Sequence, residues 1–193
     1  IGEDELLFSE NHSCPICGFS IGELEPRMFS FNSPFGACHD CDGLGSRLEV
    51  DLALVIPNWE LSINEGGIAP WSIGSSTYYP SLLAAMCKHY KINTDAPLST
   101  LSKEHIDLIL YGTKGERFFF SHINDFGHLR EGMVPFEGVM NIVERRFKDS
   151  TSDTVREQME SFMTELTCPT CEGKRLRKET LAVKINGKHI AEL

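Results

Sequence analysis

Long apolar runs are missing from this sequence. No stretch approaches the ~18–20 consecutive apolar residues of a membrane helix, so no helical span is expected. Positive charge is scarce. The formal net charge is −10, and residues 1–60 hold eleven Asp or Glu against only Arg27 and Arg47. A free-standing grip on phosphates needs clustered Lys and Arg, so the chain as a whole is a poor candidate for one. Nucleotide-binding signatures are absent too. There is no G-x-x-x-x-G-K-[ST] phosphate loop and no G-x-G-x-x-G opening a helix. No Ser or Cys sits in a recognisable nucleophile setting, so no catalytic centre is expected in this segment. The acidic start, Ile1 to Glu10, lacks Met and a basic n-region and does not read as a targeting peptide. With no Met at the start and an abrupt end at Leu193, the expectation is a piece of a longer protein.

What is present is 193 residues with 41% hydrophobic side chains. That supports a packed core and one or two domains. Six of the seven cysteines form three C-x-x-C pairs: Cys14/Cys17, Cys38/Cys41 and Cys168/Cys171. Two thiolates separated by two residues can grip one ion from a tight turn, and two such turns complete a tetrahedral Zn²⁺ shell. Disulfides would need an oxidising compartment, and a redox pair would need a βαβ context that none of the three has. Structural zinc is therefore the reading. The pairing stays open on spacing alone. Twenty residues separate the first two pairs, as in a local four-Cys finger. Yet Cys38/Cys41 and Cys168/Cys171 share the pattern C-x-x-C-[acid]-G, like halves of one duplicated knuckle. If those two share an ion, residues 42–167 form an insertion closed at its base by metal. His12 and His39 are read as turn residues, and Cys87 as a buried thiol in a helical stripe.

Residues 1–50 are loop-rich, with Phe29, Phe31 and Phe35 expected to pack around the zinc module. Residues 51–165 read as a separate domain. Tyr79, Leu82, Leu83, Met86, Cys87 and Tyr90 recur at helical spacing behind Pro80. Ser102 caps a second expected helix that stops at Gly112. Phe118–Phe120 and His128–Val134 predict two strands around the turn 124–127. Val139, Val143 and Phe147 predict a third helix with Arg145, Arg146 and Lys148 on its polar side. Val155, Met159, Phe162, Met163 and Leu166 predict a fourth, with Thr154 and Glu157 spaced for a capping box. Finally, Leu181, Val183 and Ile185 alternate as in a strand, and Asn186-Gly187 signals a hairpin returning at His189 and Ile190. Residues 172–188 hold Lys174, Arg175, Arg177, Lys178, Lys184 and Lys188 against two acids, so this strip is the first candidate for any phosphate contact; a solvated strand face is the plain alternative.

The stretch from Cys14 to Gly45, with Pro135-Phe136-Glu137-Gly138-Val139, Glu144-Arg145-Arg146 and the run from Cys168 to Leu176, resembles the UvrA family. These are ATP-binding cassette damage-recognition proteins of bacterial nucleotide excision repair. The resemblance spans essentially the whole chain. It implies an α+β segment: a zinc-knuckle module interrupted by a mixed helix/strand insertion domain. Residues 1–47 and 160–193 would belong to the first signature domain, and 48–159 to the insertion domain. By the family's pattern Cys38, Cys41, Cys168 and Cys171 share one Zn²⁺, while Cys14 and Cys17 need ligands from elsewhere. The ATP sites lie outside the segment, and the UvrB-binding domain precedes Ile1. The implied partners are DNA, UvrB and a second copy of the parent, in the cytoplasm and away from membranes. Lys174, Arg175, Arg177 and Lys178, joined by Arg145, Arg146 and Lys148, are the expected DNA contacts. Two alternatives remain beside DNA positioning: a purely structural or protein-docking module, favoured by the net charge, and a thiol-redox or zinc-chaperone module.

Overall fold

A computed structural model of the chain describes residues 24–72, 77–123 and 127–192. These divide into two compact units, one of residues 1–47 and 165–193 and one of residues 48–164. The elements, in chain order, are strand β1 (Ser46–Val50), helices α1 (Leu52–Val55), α2 (Ala69–Ser72), α3 (Tyr78–His89) and α4 (Lys103–Tyr111), strands β2 (Arg117–Ile123) and β3 (Leu129–Pro135), helices α5 (Val139–Asp149) and α6 (Asp153–Glu160), strand β4 (Met163–Thr167), helix α7 (Lys178–Ala182) and strands β5 (Lys184–Ile185) and β6 (Lys188–His189). The strands pair as three two-stranded sheets, β1 with β4, β2 with β3 and β5 with β6. The described residues thus mix helices with small antiparallel ribbons, an α+β arrangement. No helix among them is long and apolar enough to cross a membrane.

The unit of residues 48–164 is built on one apolar cluster that includes Val55, Met86, Ile109, Phe118, Phe136, Val139 and Met159, each fully buried. α3 turns Leu82, Leu83, Met86 and Cys87 inward from one stripe, with Pro80 in its first turn, where a missing N–H costs nothing. The Ser102 hydroxyl accepts the His105 N–H at 3.3 Å to open α4, and Gly112 (φ +85°) closes it. In β2 the alternation sends Phe118 and Phe120 to the core and Phe119 to solvent, opposite Met133 of β3. The turn expected at 124–127 falls largely outside the described residues. One anchor had no signal in the sequence. Thr113 is buried, its hydroxyl donating to the Glu116 carbonyl (2.7 Å) and accepting the Phe136 N–H (3.1 Å).

Two expectations about elements give way to tertiary pairing. The stripe from Val155 to Leu166 reads as one helix, but α6 ends at Glu160 and Met163–Thr167 is strand. The backbone there pairs with β1, and the Asp51 N–H reaches the Phe162 carbonyl at 2.9 Å. The capping box on Thr154 and Glu157 is likewise not used: the helix starts two residues earlier, with Ser152 at its N-cap and no side-chain bond. Downstream, the alternation at Leu181–Ile185 is interrupted by α7, where the Thr180 hydroxyl, buried, donates to the Met28 carbonyl at 2.9 Å. The hairpin itself forms: Asn186 and Gly187 both take positive φ, at 51° and 81°, as a two-residue primed turn requires.

Candidate metal centre

Cys38, Cys41, Cys168 and Cys171 converge. Their sulfur atoms all lie within 4.8 Å of one another, and all four side chains are buried. The distance is 3.9 Å from Cys38 Sγ to Cys168 Sγ and 3.7 Å from Cys41 Sγ to Cys171 Sγ. None of the four is disulfide-bonded. A tetrahedron with metal–sulfur bonds of about 2.3 Å has edges of about 3.8 Å, so the thiols stand where a four-sulfur shell needs them. Cys14 and Cys17 lie outside the described residues. Cys87 is elsewhere, buried in the core of the 48–164 unit. His39 is exposed on its turn and contributes nothing to the cluster.

The two knuckles repeat each other at an offset of 130 residues. Asp42 and Gly43 have φ of 47° and 81°; Glu172 and Gly173 have 52° and 80°. The Leu44 N–H donates to the Cys41 carbonyl at 2.8 Å, and the Lys174 N–H to the Cys171 carbonyl at 2.9 Å. The bonds between the knuckles are reciprocal. The Cys38 N–H donates to the Arg175 carbonyl and the Cys168 N–H to the Gly45 carbonyl, both at 2.9 Å. The Gly45 N–H also points at Cys41 Sγ, 3.2 Å away. The Asp40 carboxylate ties the turns together, accepting from the Thr170 hydroxyl (2.6 Å) and from Arg47 (3.3 Å).

Burial penalises thiolates, and backbone N–H groups offset that penalty. At Cys38 and Cys171 burial prevails, raising both thiols and pushing Cys171 up to about 12. At Cys168 burial acts in the same direction, but the N–H groups of Cys171 and Thr170 and the neighbouring thiols outweigh it and hold the group down at about 7. A cation bound among the four sulfurs removes the penalty, since coordination deprotonates a thiol outright.

The basic residues marked in the sequence have distinct environments. Arg177 is spent on structure: its guanidinium donates to the Ala37 carbonyl at 3.1 Å and to the Pro34 carbonyl, and its N–H to the Gly36 carbonyl. Lys174 pairs with Glu172 at 3.2 Å, and the Arg175 guanidinium lies 5.3 Å from the centre of the Phe31 ring. Lys178 is exposed at the start of α7. In the other unit, Arg145 makes two bonds to Glu137, Lys148 pairs with Glu144 at 2.6 Å, and Arg146 stands over the Tyr79 ring. The aromatic plug expected around the zinc module is not packed as such. Phe31 and Phe35 are exposed, each under an arginine, Arg175 and Arg27 respectively.

The fold thus defines a four-thiol module made from two distant segments, with a separate α+β unit between them in the sequence. Residues 51–161 match the family model of the UvrA DNA-binding domain. The chain is 58% identical over all its 193 residues to the UvrABC system protein A of Bacillus subtilis, of which it covers 20%. It is 57% identical over the same length to the protein of that name from Oceanobacillus iheyensis, again covering 20%. The crystal structure of UvrA2 from Deinococcus radiodurans superposes with a TM-score of 0.70 at 27% identity, covering 86% of this chain and 21% of that one. The chain belongs to the UvrA family. It spans about a fifth of the length of the curated relatives it matches.

Proposed function

We propose that this chain is the zinc-bearing, DNA-handling segment of a nucleotide excision repair protein, and that it helps position or clamp DNA in the assembled dimer. The match of residues 51–161 to the UvrA DNA-binding domain carries this reading. Zn²⁺ is the ion assigned to Cys38, Cys41, Cys168 and Cys171, because four thiolates at tetrahedral spacing favour it over harder cations. Its task is to hold two segments, 126 residues apart between Cys41 and Cys168 counted exclusive of both, in one geometry. Residues 1–47 and 160–193 are assigned to the signature domain and 48–159 to the insertion domain. ATP turnover, contact with UvrB and dimer formation are assigned to the remainder of the parent protein.

Of the candidate phosphate contacts, Arg145, Arg146 and Lys148 lie within the matched domain, on α5. The carboxylate partners of Arg145 and Lys148 are solvent-exposed, and such pairs are worth only about 0–1 kcal/mol, so phosphates can displace them. Arg177 acts as a brace and is withdrawn from the expected DNA contacts. The test is DNA binding by the intact protein across a salt series. Replacing Arg145, Arg146 and Lys148 together by Ala lowers affinity and flattens the log–log salt slope by about 0.9 for each phosphate left unneutralised. Affinity and slope both equal to wild type would favour the alternative, a structural or protein-docking module, which the net charge of −10 supports.

A further inference from the structure

The loop that leads into the first knuckle packs closely against it, yet it displays its aromatic side chains to solvent. A Cβ added at Gly43 would fall 2.1 Å from the Phe31 carbonyl oxygen, so the knuckle backbone lies directly against the loop. Arg177 clamps the same loop at Pro34 and Ala37. On this fixed support Phe31 is 41% exposed, Phe35 49% and Leu44 68%. Phe31, Asn32, Asp42, Leu44 and Arg175 line a cleft of about 590 Å³, a size typical of small-ligand sites.

Arg175 is the informative residue. Its counterpart in the first knuckle is Gly45, and both adopt positive φ, 84° at Gly45 and 67° at Arg175. Glycine suits that backbone; an arginine takes it up rarely. Side chains at both positions would be crowded, because a Cβ at Gly45 would stand 3.0 Å from Arg175 Cγ, and Arg175 carries the one that is present. That one side chain runs past Gly45 and sets its guanidinium over Phe31. Four residues on, Arg27 covers Phe35 at 3.8 Å in the same manner. Two arginine-capped aromatic planes on one loop match the way proteins hold unpaired bases, by stacking successive rings on aromatic and guanidinium faces. Asn32 and Asp42 supply an amide and a carboxylate at the edge of the cleft, where a base presents its hydrogen-bonding groups. Local charge is nearly balanced, since Glu25, Asp40 and Glu172 answer Arg27, Arg47 and Lys174, which suits stacking on bases better than a grip on phosphates.

We infer that the Phe31–Arg175 cleft beside the four-cysteine centre binds an unpaired nucleobase of DNA. This rests on the DNA-handling reading above. The test compares the intact, metal-loaded protein with Phe31→Ala and Arg175→Gly, using labelled duplexes that are fully matched or carry a central run of unpaired thymines. Arg175→Gly restores the residue type of the sister knuckle, so the turn is retained, and metal content checks this for both variants. Wild type should favour the unpaired duplex, and each variant should lose about tenfold of that preference, the scale of one stacked base. If wild type binds both duplexes and the preference is unchanged in both variants, the inference is overturned and the DNA reading stands. Loss of self-association with the preference intact also overturns it, making the cleft a protein contact. If wild type binds neither duplex, the DNA-handling reading itself fails.

Discussion

Removing one thiolate from the metal centre should separate the fates of the two units, and the structure says how far. The relevant change is Cys168→Ser. Among the described buried residues of the 1–47/165–193 unit, the apolar ones beyond the four cysteines are Ala37 and Leu176. Burying one leucine is worth about 1.5–3 kcal/mol, whereas a structural zinc is worth about 10–16 kcal/mol. With zinc bound as proposed, the metal would be the dominant cohesive term among the described residues of that unit. The core of the 48–164 unit, in contrast, draws its buried residues from Val55 through Phe162 and includes no metal ligand. Both tryptophans, Trp59 and Trp71, belong to that second unit, so tryptophan fluorescence reports on it alone. Cys168→Ser should cut bound zinc and speed amide exchange at Cys38 and Cys171, while the fluorescence melting temperature moves by no more than a few degrees, about 1 kcal/mol. Chelator applied to the wild type should do the same. A fluorescence transition that collapses in step with zinc loss would refute the reasoning, showing that the second unit does not hold its own core.

Further outcomes can be checked on the same material. Thr113→Val leaves the Phe136 N–H without the side-chain partner it uses, and denaturant melts should show a loss of about 1–3 kcal/mol. Asp51 accepts from the Thr164 hydroxyl and the Ala53 N–H, which lower its pKa; the stability it contributes is complete above the unfolded value of about 4 and lost as pH falls through the lower folded value. Asp51→Asn should therefore reduce the acid-side slope of stability against pH, and a slope equal to wild type would contradict this. Cys87, pushed up to about 12 by burial, should resist thiol reagents at neutral pH until the 48–164 unit unfolds; rapid labelling in the native protein would contradict its burial.

Much of the local structure was legible because it rests on local chemistry. Pro80 and the stripe behind it place α3, Ser102 and Gly112 bound α4, and Asn186-Gly187 makes its hairpin, each by steric or capping rules that operate within a few residues. The repeated C-x-x-C-[acid]-G pattern already marked two turns of the same shape, and the φ values at Asp42, Gly43, Glu172 and Gly173 show that shape. What short-range rules could not supply was any partner distant in the chain. Met163–Thr167 continues a helical stripe in sequence and becomes strand because β1, more than a hundred residues earlier, satisfies its backbone. Leu181 lies in a helix where alternation reads strand, beside Thr180, whose hydroxyl is bonded to Met28. Arg177, one charge among several in a basic strip, becomes a brace only when Pro34 and Ala37 are brought to it. Spacing alone likewise left the pairing of the cysteines open. Proximity of sulfur atoms 130 residues apart is a property of the folded chain, and it emerges where the reciprocal bonds of Cys38 and Cys168 join the two turns.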